Sequence, residues 1–328
     1  MKIVLPGGTG NVGGFLSRAL AAAGHDVVVL TRRAGVDLGG GVRSVRWDGR
    51  TVGPWAEEVD GCAAVINLAG RSVSCRYTEA NLREMMDSRV DSARAVGSAI
   101  AQASAPPRVW LQMSTATIYA HRFDRANDEA TGIIAGAEPG VPGYWAFSAE
   151  IAKRWELAQE QAPTPDTRKV ALRTAMVMSP DRGSVFDVLS WMARLSLGGP
   201  VAGGRQYVSW IHDRDFLRAV EFLLTRDDLA GPVNLTAPGP LPQREFMRTL
   251  RRAWRMPIGL PATKWMAEVG AFALRSDTEL LLKSRRVVPG RLLDSGFTFD
   301  FPRWEDAATD LARRTRARSQ PDTSPSTV

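Results

Sequence analysis

Seven residues near the start of the chain constrain it most. Gly7-Gly8-Thr9-Gly10-Asn11-Val12-Gly13 lies directly between a short apolar strand at 3–5 and a helix expected over about 13–23, closed by Gly24. In a Gly-x-x-Gly-x-x-Gly spacing at such a junction, one glycine makes a tight turn. A second lets the backbone approach a pyrophosphate, and a third lets the helix pack on the strand. The helix N-terminus adds unsatisfied N–H groups and a positive dipole end. A plain glycine turn is the alternative, but the position in the first strand–turn–helix unit favours a phosphate cradle. Gly7, Gly10, Asn11, Val12 and Gly13 are therefore expected to bind a dinucleotide.

The chain continues in the same rhythm. Val27-Val28-Val29-Leu30 is an uninterrupted apolar run, as in a parallel strand covered on both faces. Further strands are expected at 42–47, 63–67, 109–114 and 170–173, with helices at about 82–103 and 145–161. This βαβ alternation predicts an α/β fold with a doubly wound parallel sheet. The second half differs. Residues 179–208 are rich in glycine and aromatics, a helix at about 215–224 returns to the first lobe, and 234–236 is a short strand. From Pro242 onward the pattern is mostly helical, interrupted at Pro257, Pro261 and Pro289. The expected division is a nucleotide-binding domain at 1–178 with 209–230 returning to it, and a smaller, mostly helical C-terminal substrate lobe from 179–208 and 231–312. The Arg, Ser, Pro and Thr of 313–328 bury nothing and are expected to form a disordered tail.

The second strand runs into Thr31-Arg32-Arg33. An acidic residue there would bind the ribose 2′-OH of NAD and repel a 2′-phosphate. An arginine pairs with that phosphate through its planar, permanently charged fork. Thr31, Arg32 and Arg33 therefore point to NADP(H). The structural alternative is that both are ordinary surface arginines. Asp48, in Trp47-Asp48 after the third strand, is placed where adenine would lie.

Composition narrows the function classes. Lys+Arg total 42 against 35 Asp+Glu, a net charge of +7. Only five of the 42 are lysine; the other 37 are arginine. A basic balance admits an anionic or nucleic-acid partner. It equally fits a codon bias toward arginine, and no recognition-helix or basic–aromatic motif supports nucleic acid. Two cysteines, Cys62 and Cys75, give no disulfide framework, and three dispersed histidines give no metal-ligand spacing. No apolar run approaches the roughly 20 residues that span a bilayer. Strand-like sequence begins at Lys2 with no signal-like segment before it, so the expectation is a cytoplasmic protein, monomer or homodimer, acting on a small molecule with no membrane or nucleic-acid partner.

Taken together, several segments carry a family resemblance. They are the glycine loop, Asn67-Leu68-Ala69-Gly70 with its continuation to Val73, Ser88-Arg89-Val90, and Ser114-Thr115-Ala116-Thr117-Ile118-Tyr119. Trp155-Glu156, Ser209-Trp210-Ile211-His212, the stretch from Gly231 to Pro238, and Gly296-Phe297 complete the set. Over about residues 1–312 the chain resembles an atypical extended short-chain dehydrogenase/reductase. More narrowly it resembles the NAD-dependent epimerase/dehydratase-like subgroup with a C-terminal domain of unknown function of the DUF1731 type. The resemblance implies a Rossmann-type NADP-binding lobe, a small substrate lobe and a cleft at the carboxyl ends of the strands. It adds Leu68, Ala69, Gly70, Arg89, Ser114 and Phe147 to the cofactor-binding residues.

The catalytic pattern departs from the superfamily's. Most short-chain dehydrogenases use Tyr-x-x-x-Lys, two side chains on one helix face, in which the lysine charge lowers the tyrosine pKa. Four residues after Tyr77, Tyr119, Tyr144 and Tyr207 stand Asn81, Phe123, Ser148 and Ile211, so the pair is absent. By resemblance Phe147 stands in the tyrosine's place, Ile151 in the lysine's, and Arg89 replaces a supporting asparagine. The remaining catalytic candidates are Thr115 as a hydroxyl that positions a substrate oxygen, Ser114 beside the nicotinamide, and Tyr144 one turn before Phe147. Tyr119 and His212 read as structural, and Arg71, Arg76 and Arg89 as either anion ligands or solvated arginines. The expected function is an NADP(H)-binding oxidoreductase or epimerase-like enzyme for a small, anionic or sugar-like carbonyl or alcohol substrate. The alternative is a catalytically weak or inactive NADPH-binding regulator.

Overall fold

The computed structural model describes residues 1–33, 35–73, 75–136, 138, 141–262 and 279–319. The first lobe contains β1 (Lys2–Pro6), α1 (Asn11–Ala22), β2 (Asp26–Thr31), β3 (Arg43–Arg46) and β4 (Ala64–Asn67). It continues with α2 (Glu79–Gln102), β5 (Val109–Thr115), α3 (Gly143–Glu160) and β6 (Arg168–Thr174). After these come β7 (Met176–Met178), α4 (Val185–Arg194), β8 (Tyr207–Val208), β9 (Trp210–His212), α5 (Asp213–Thr225), β10 (Gly231–Leu235), β11 (Leu241–Pro242) and α6 (Gln243–Ala253). A single helical turn at Glu279–Leu282 precedes α7 (Gly290–Asp294) and α8 (Trp304–Ser319).

Seven strands form one sheet in the order β10-β6-β5-β4-β1-β2-β3, and every pairing in it is parallel. The order reverses at β1, between β4 and β2, which opens a crevice at the carboxyl ends of the strands. Strand alternation divides the apolar residues between two cores. Ile3, Leu5, Val27 and Val29 face one side, packed with Leu16 and Leu20 of α1 and Phe216 and Val220 of α5. Val4, Val28 and Leu30 face the other, packed with Val90, Val96 and Ile100 of α2. This is why β2 reads as an unbroken apolar run.

A third core belongs to the smaller lobe. Phe186 of α4, Phe246 and Leu250 of α6, and Trp304 and Leu311 of α8 are buried together. Phe246 stacks on Trp304 at 4.1 Å between centroids.

Two expectations about organisation are corrected. The segment 231–235, assigned to the substrate lobe, is the edge strand of the large sheet, in register with 170–174 of β6. Its opening Gly-Pro disguised it, and an edge strand tolerates proline because one side of its ladder is unpaired. The tail expected to be disordered from 313 is helical to Ser319. Its arginines find acids elsewhere: Arg314 pairs with Asp213 at 2.8 Å through both terminal nitrogens, and Arg318 pairs with Asp181. Residues 320–328, the rest of that expected tail, lie outside the described residues.

Candidate functional site

The glycine loop sits between β1 and α1 as expected, and the structure separates the work of its glycines. Gly7 has φ +77°, and a Cβ there would lie 2.6 Å from the Ala69 backbone, so the loop abuts the turn that follows β4. A Cβ on Gly13 would lie 2.5 Å from the Gly8 backbone, so the first turn of α1 rests on the loop itself. Gly10 has no such neighbour; the nearest atom is 3.8 Å away. It faces open space, as a position that admits a ligand must. No side chain caps α1 at Gly10, which leaves the first-turn N–H groups for an anion. Gly8 carried no assignment in the sequence, yet a Cβ there would strike Val29 at 2.8 Å. Asn11 turns away from the loop's mouth and donates its side-chain amide to the Gly183 carbonyl at 2.6 Å.

Two further turns complete the rim. Buried Asn67 ends β4, accepts from Ala69 N at 3.0 Å and donates to Gln112 at 2.9 Å, which fixes the Leu68-Ala69-Gly70 backbone. Arg89 closes behind it. Its guanidinium donates to the carbonyls of Met85 and Arg71 at 2.9 and 3.0 Å and lies 5.0 Å over the Trp155 ring. Burial draws its pKa down to about 10. Arg89 therefore holds the turn after β4, and Arg71 is occupied by Asn81 and Glu84. Both lose the solvated-arginine reading.

At the carboxyl end of β2, Thr31 is buried while Arg32 and Arg33 are exposed and make no ion pair among the described residues. The register places Arg46, the last residue of β3, opposite Thr31. It too is exposed and forms no ion pair among the described residues. Sequence reading missed Arg46 because only the β2–β3 register brings it to the carboxyl end of β2. The Asp48 carboxylate accepts from Arg50 N, Thr51 N and the Thr51 hydroxyl, bonds that lower its pKa and hold the 48–51 turn. A pocket of about 480 Å³ lies beside this turn, walled by Val45, Trp47 and Trp55. The two indoles meet edge to face at 5.3 Å.

The catalytic candidates separate at the end of β5. Ser114 is 3% exposed and donates to Glu156 Oε1 at 2.6 Å, so its proton is committed inward and it is no acid for a substrate. Glu156 is gripped by Arg173 through two bonds of 2.9 and 2.8 Å. Arg173 also donates to the Tyr119 hydroxyl, which in turn donates to Asn234, each at 3.0 Å. This buried chain ties β5, α3, β6 and β10 together and makes Tyr119 structural; burial raises its pKa. The Thr115 hydroxyl accepts from Thr117 N at 3.1 Å and donates to no partner among the described residues. Tyr144 falls in the first turn of α3, and its side chain lies outside the described residues. Phe147 is half-buried on the same helix and Ile151 is buried.

His212 is fully buried and caps α5, its Nδ1 accepting from Arg214 N at 3.1 Å. Its Nε2 lies 3.2 Å from Asp310, and Phe301 stacks on the ring at 3.8 Å. Burial pulls its pKa down to about 4. It is a joint between lobes and takes no part in the cleft.

Comparison with known proteins agrees with this architecture. Residues 3–235 match the model of the NAD dependent epimerase/dehydratase family, and 264–311 match a domain of unknown function, DUF1731. An epimerase family protein of Mycobacterium tuberculosis is 31% identical over 305 residues, covering 90% of this chain and 93% of that one. The bovine epimerase family protein SDR39U1 is 30% identical over 306 residues, covering 92% and 96%. The crystal structure of human SDR39U1 (isoform 2) with NADPH superposes with a TM-score of 0.82 at 26% identity, covering 95% of this chain and 99% of that one. UDP-N-acetylglucosamine 4-epimerase from Bacillus cereus, at 16% identity and TM-score 0.69, shares the fold. Rossmann sheet, glycine cradle and C-terminal segment thus occur in one chain, which belongs to the NAD-dependent epimerase/dehydratase family.

Proposed function

We propose that the protein binds NADP(H) across the carboxyl ends of the strands and uses it as an oxidoreductase or epimerase-like enzyme on a small, anionic or sugar-like carbonyl or alcohol substrate. The observation that carries the reading is the pairing of an uncapped, glycine-lined helix terminus with exposed Arg32 and Arg33 at the end of β2, which make no ion pair among the described residues. The residues fit the cofactor. Gly7 and Gly13 leave no room for a Cβ, Gly10 leaves space, and an exposed dicationic edge is complementary to a 2′-phosphate. The human relative solved with NADPH supports the same assignment.

Bound NADP(H) would supply or accept a hydride. In this chain the α1 N–H groups and Gly7–Gly13 would hold the pyrophosphate, and Arg32 and Arg33 the 2′-phosphate. Trp47 and Trp55 offer an apolar wall for adenine. Thr115 orients a substrate oxygen with its free proton. Phe147 excludes water but exchanges no proton, so the proton comes from a group other than a helix tyrosine. That last point also favours the second reading, an NADPH-binding regulator with little turnover.

The test is nucleotide binding by fluorescence, then NADPH oxidation with aldehydes, ketones and nucleotide sugars. Preferential NADPH binding with oxidation of one class supports the enzyme. Tight binding with none supports the regulator, and tighter NADH than NADPH binding refutes the cofactor assignment.

A further inference from the structure

The reading above leaves the C-terminal segment without a chemical role, yet that segment buries two opposite charges against the catalytic corner. Glu279 and Lys283 are 1% and 2% exposed and lie 3.4 Å apart. Both reach into the first lobe. Ser148, the residue after Phe147, donates to Glu279 Oε2. Lys283 Nζ donates to the Thr117 carbonyl at 3.0 Å, two residues beyond Thr115. Arg285 Nε donates to the Thr117 hydroxyl at 3.1 Å, and Ser284 N donates to His121 Nδ1 at 2.8 Å. The segment therefore grips both flanks of the corner, the end of β5 and the start of α3. An anchor alone has no need of charge, because a buried ion pair stabilises little more than apolar residues of the same volume. The sequence lacks the Tyr-x-x-x-Lys pair at this corner, and the fold brings a carboxylate and an ammonium to it from elsewhere.

We propose that Glu279 and Lys283 are the charged positioning pair of the catalytic corner, set on the nicotinamide side of the cleft by the C-terminal segment where a Tyr-x-x-x-Lys pair is missing. The proposal rests on the NADP(H) reading. Its consequence is electrostatic and signed. An ammonium near the ring disfavours the cationic nicotinamide of NADP⁺ relative to the neutral ring of NADPH, and a carboxylate does the reverse.

The experiment measures dissociation constants of NADPH by fluorescence and of NADP⁺ by competition, on the intact chain and three variants whose folding is checked by thermal melting. Lys283→Met is expected to strengthen NADP⁺ relative to NADPH by about threefold or more, and Glu279→Gln to weaken it comparably. Lys283→Arg is expected to keep the wild-type ratio. A pair that serves only as an anchor would shift melting temperature and leave the ratio fixed. An unchanged ratio in folded Lys283→Met and Glu279→Gln, with NADPH still bound, overturns the proposal and leaves the cofactor reading intact. If Lys283→Met does not fold, the sign of the Glu279→Gln shift decides alone. If the wild type binds neither nucleotide, the cofactor reading falls and the proposal falls with it.

Discussion

The glycine loop allows a sharp test, because three neighbouring glycines should respond differently to one added methyl group. In Gly13→Ala the new Cβ would stand 2.5 Å from Gly8 Cα and 2.6 Å from the Gly8 carbonyl carbon. Both are backbone atoms, so relief requires α1 to move off the loop by roughly an ångström. Overpacking of that kind costs about 1–3 kcal/mol of stability. The same displacement withdraws the first-turn N–H groups from a bound pyrophosphate, and hydrogen bonds to a charged group contribute roughly 1.5–3 kcal/mol each. Loss of one such bond weakens NADPH binding about 10- to 100-fold. Gly10→Ala meets nothing closer than 3.8 Å and has φ −73°, so it should melt like wild type while its methyl group hinders the phosphate. Gly14→Ala meets only the movable end of Arg18, at 3.5 Å, and should be neutral or stabilising by up to about 1 kcal/mol through helix propensity. The assay is thermal melting together with fluorescence titration of NADPH. Equal melting temperature and equal affinity in Gly13→Ala and wild type would refute the packing argument.

Other consequences follow from the same geometry. Arg32→Asp should reverse the preference for NADPH over NADH, and Arg46→Ala should weaken NADPH several-fold while leaving NADH unchanged, both read by titration. Glu156→Gln, which leaves the buried Arg173 without its carboxylate, should cost about 3 kcal/mol or more and lower the melting temperature. A variant melting within a degree of wild type would count against that role. His212 gives a pH dependence. Its folded pKa of about 4 lies below the ordinary 6.5, so the unfolded chain binds the extra proton first. Its contribution is present in full above pH 6.5 and is lost as pH falls toward 4. The displacement amounts to about 3 kcal/mol. His212→Gln should flatten melting temperature against pH in that window, and an unaltered slope would show that other groups set it.

The large sheet was legible because its signal is local. A parallel strand buried on both faces must be apolar throughout, and 27–30 of β2 and 63–66 around β4 state this residue by residue. The packing of the glycine loop between β1 and α1 was legible for the same reason, since its glycines answer to their own loop. What escaped reading depends on residues far apart in sequence. Arg46 reaches the carboxyl end of β2 only through the β2–β3 register, and the Ser114 proton is engaged only because Glu156 arrives 42 positions later. The helix at 313–319 read as a disordered tail because its arginines resemble solvated ones until Asp213 and Asp181 are in place. Charge type does not name its partner, and a chain with 37 arginines offers many misleading choices.

The division of labour in the site has a physical cause. Binding a dinucleotide draws on backbone N–H groups and on arginines whose charge does not depend on their surroundings. Such a function survives any change to the chemistry at the far end of the cleft. Proton transfer is different: it requires a group whose pKa is set by a precisely placed charge. By the family resemblance, Phe147 stands at the usual proton-donating position and buried Ile151 at the usual charge position. Glu279 and Lys283 bring two further charges to that corner, on a segment separated from it by more than a hundred residues. A chemistry built on them would depend on docking of the C-terminal segment, whereas cofactor binding at Gly7–Gly13 would not. Affinity for NADPH and the balance between NADPH and NADP⁺ should therefore be separable by mutation in this protein, with the loop controlling the first and the C-terminal segment the second.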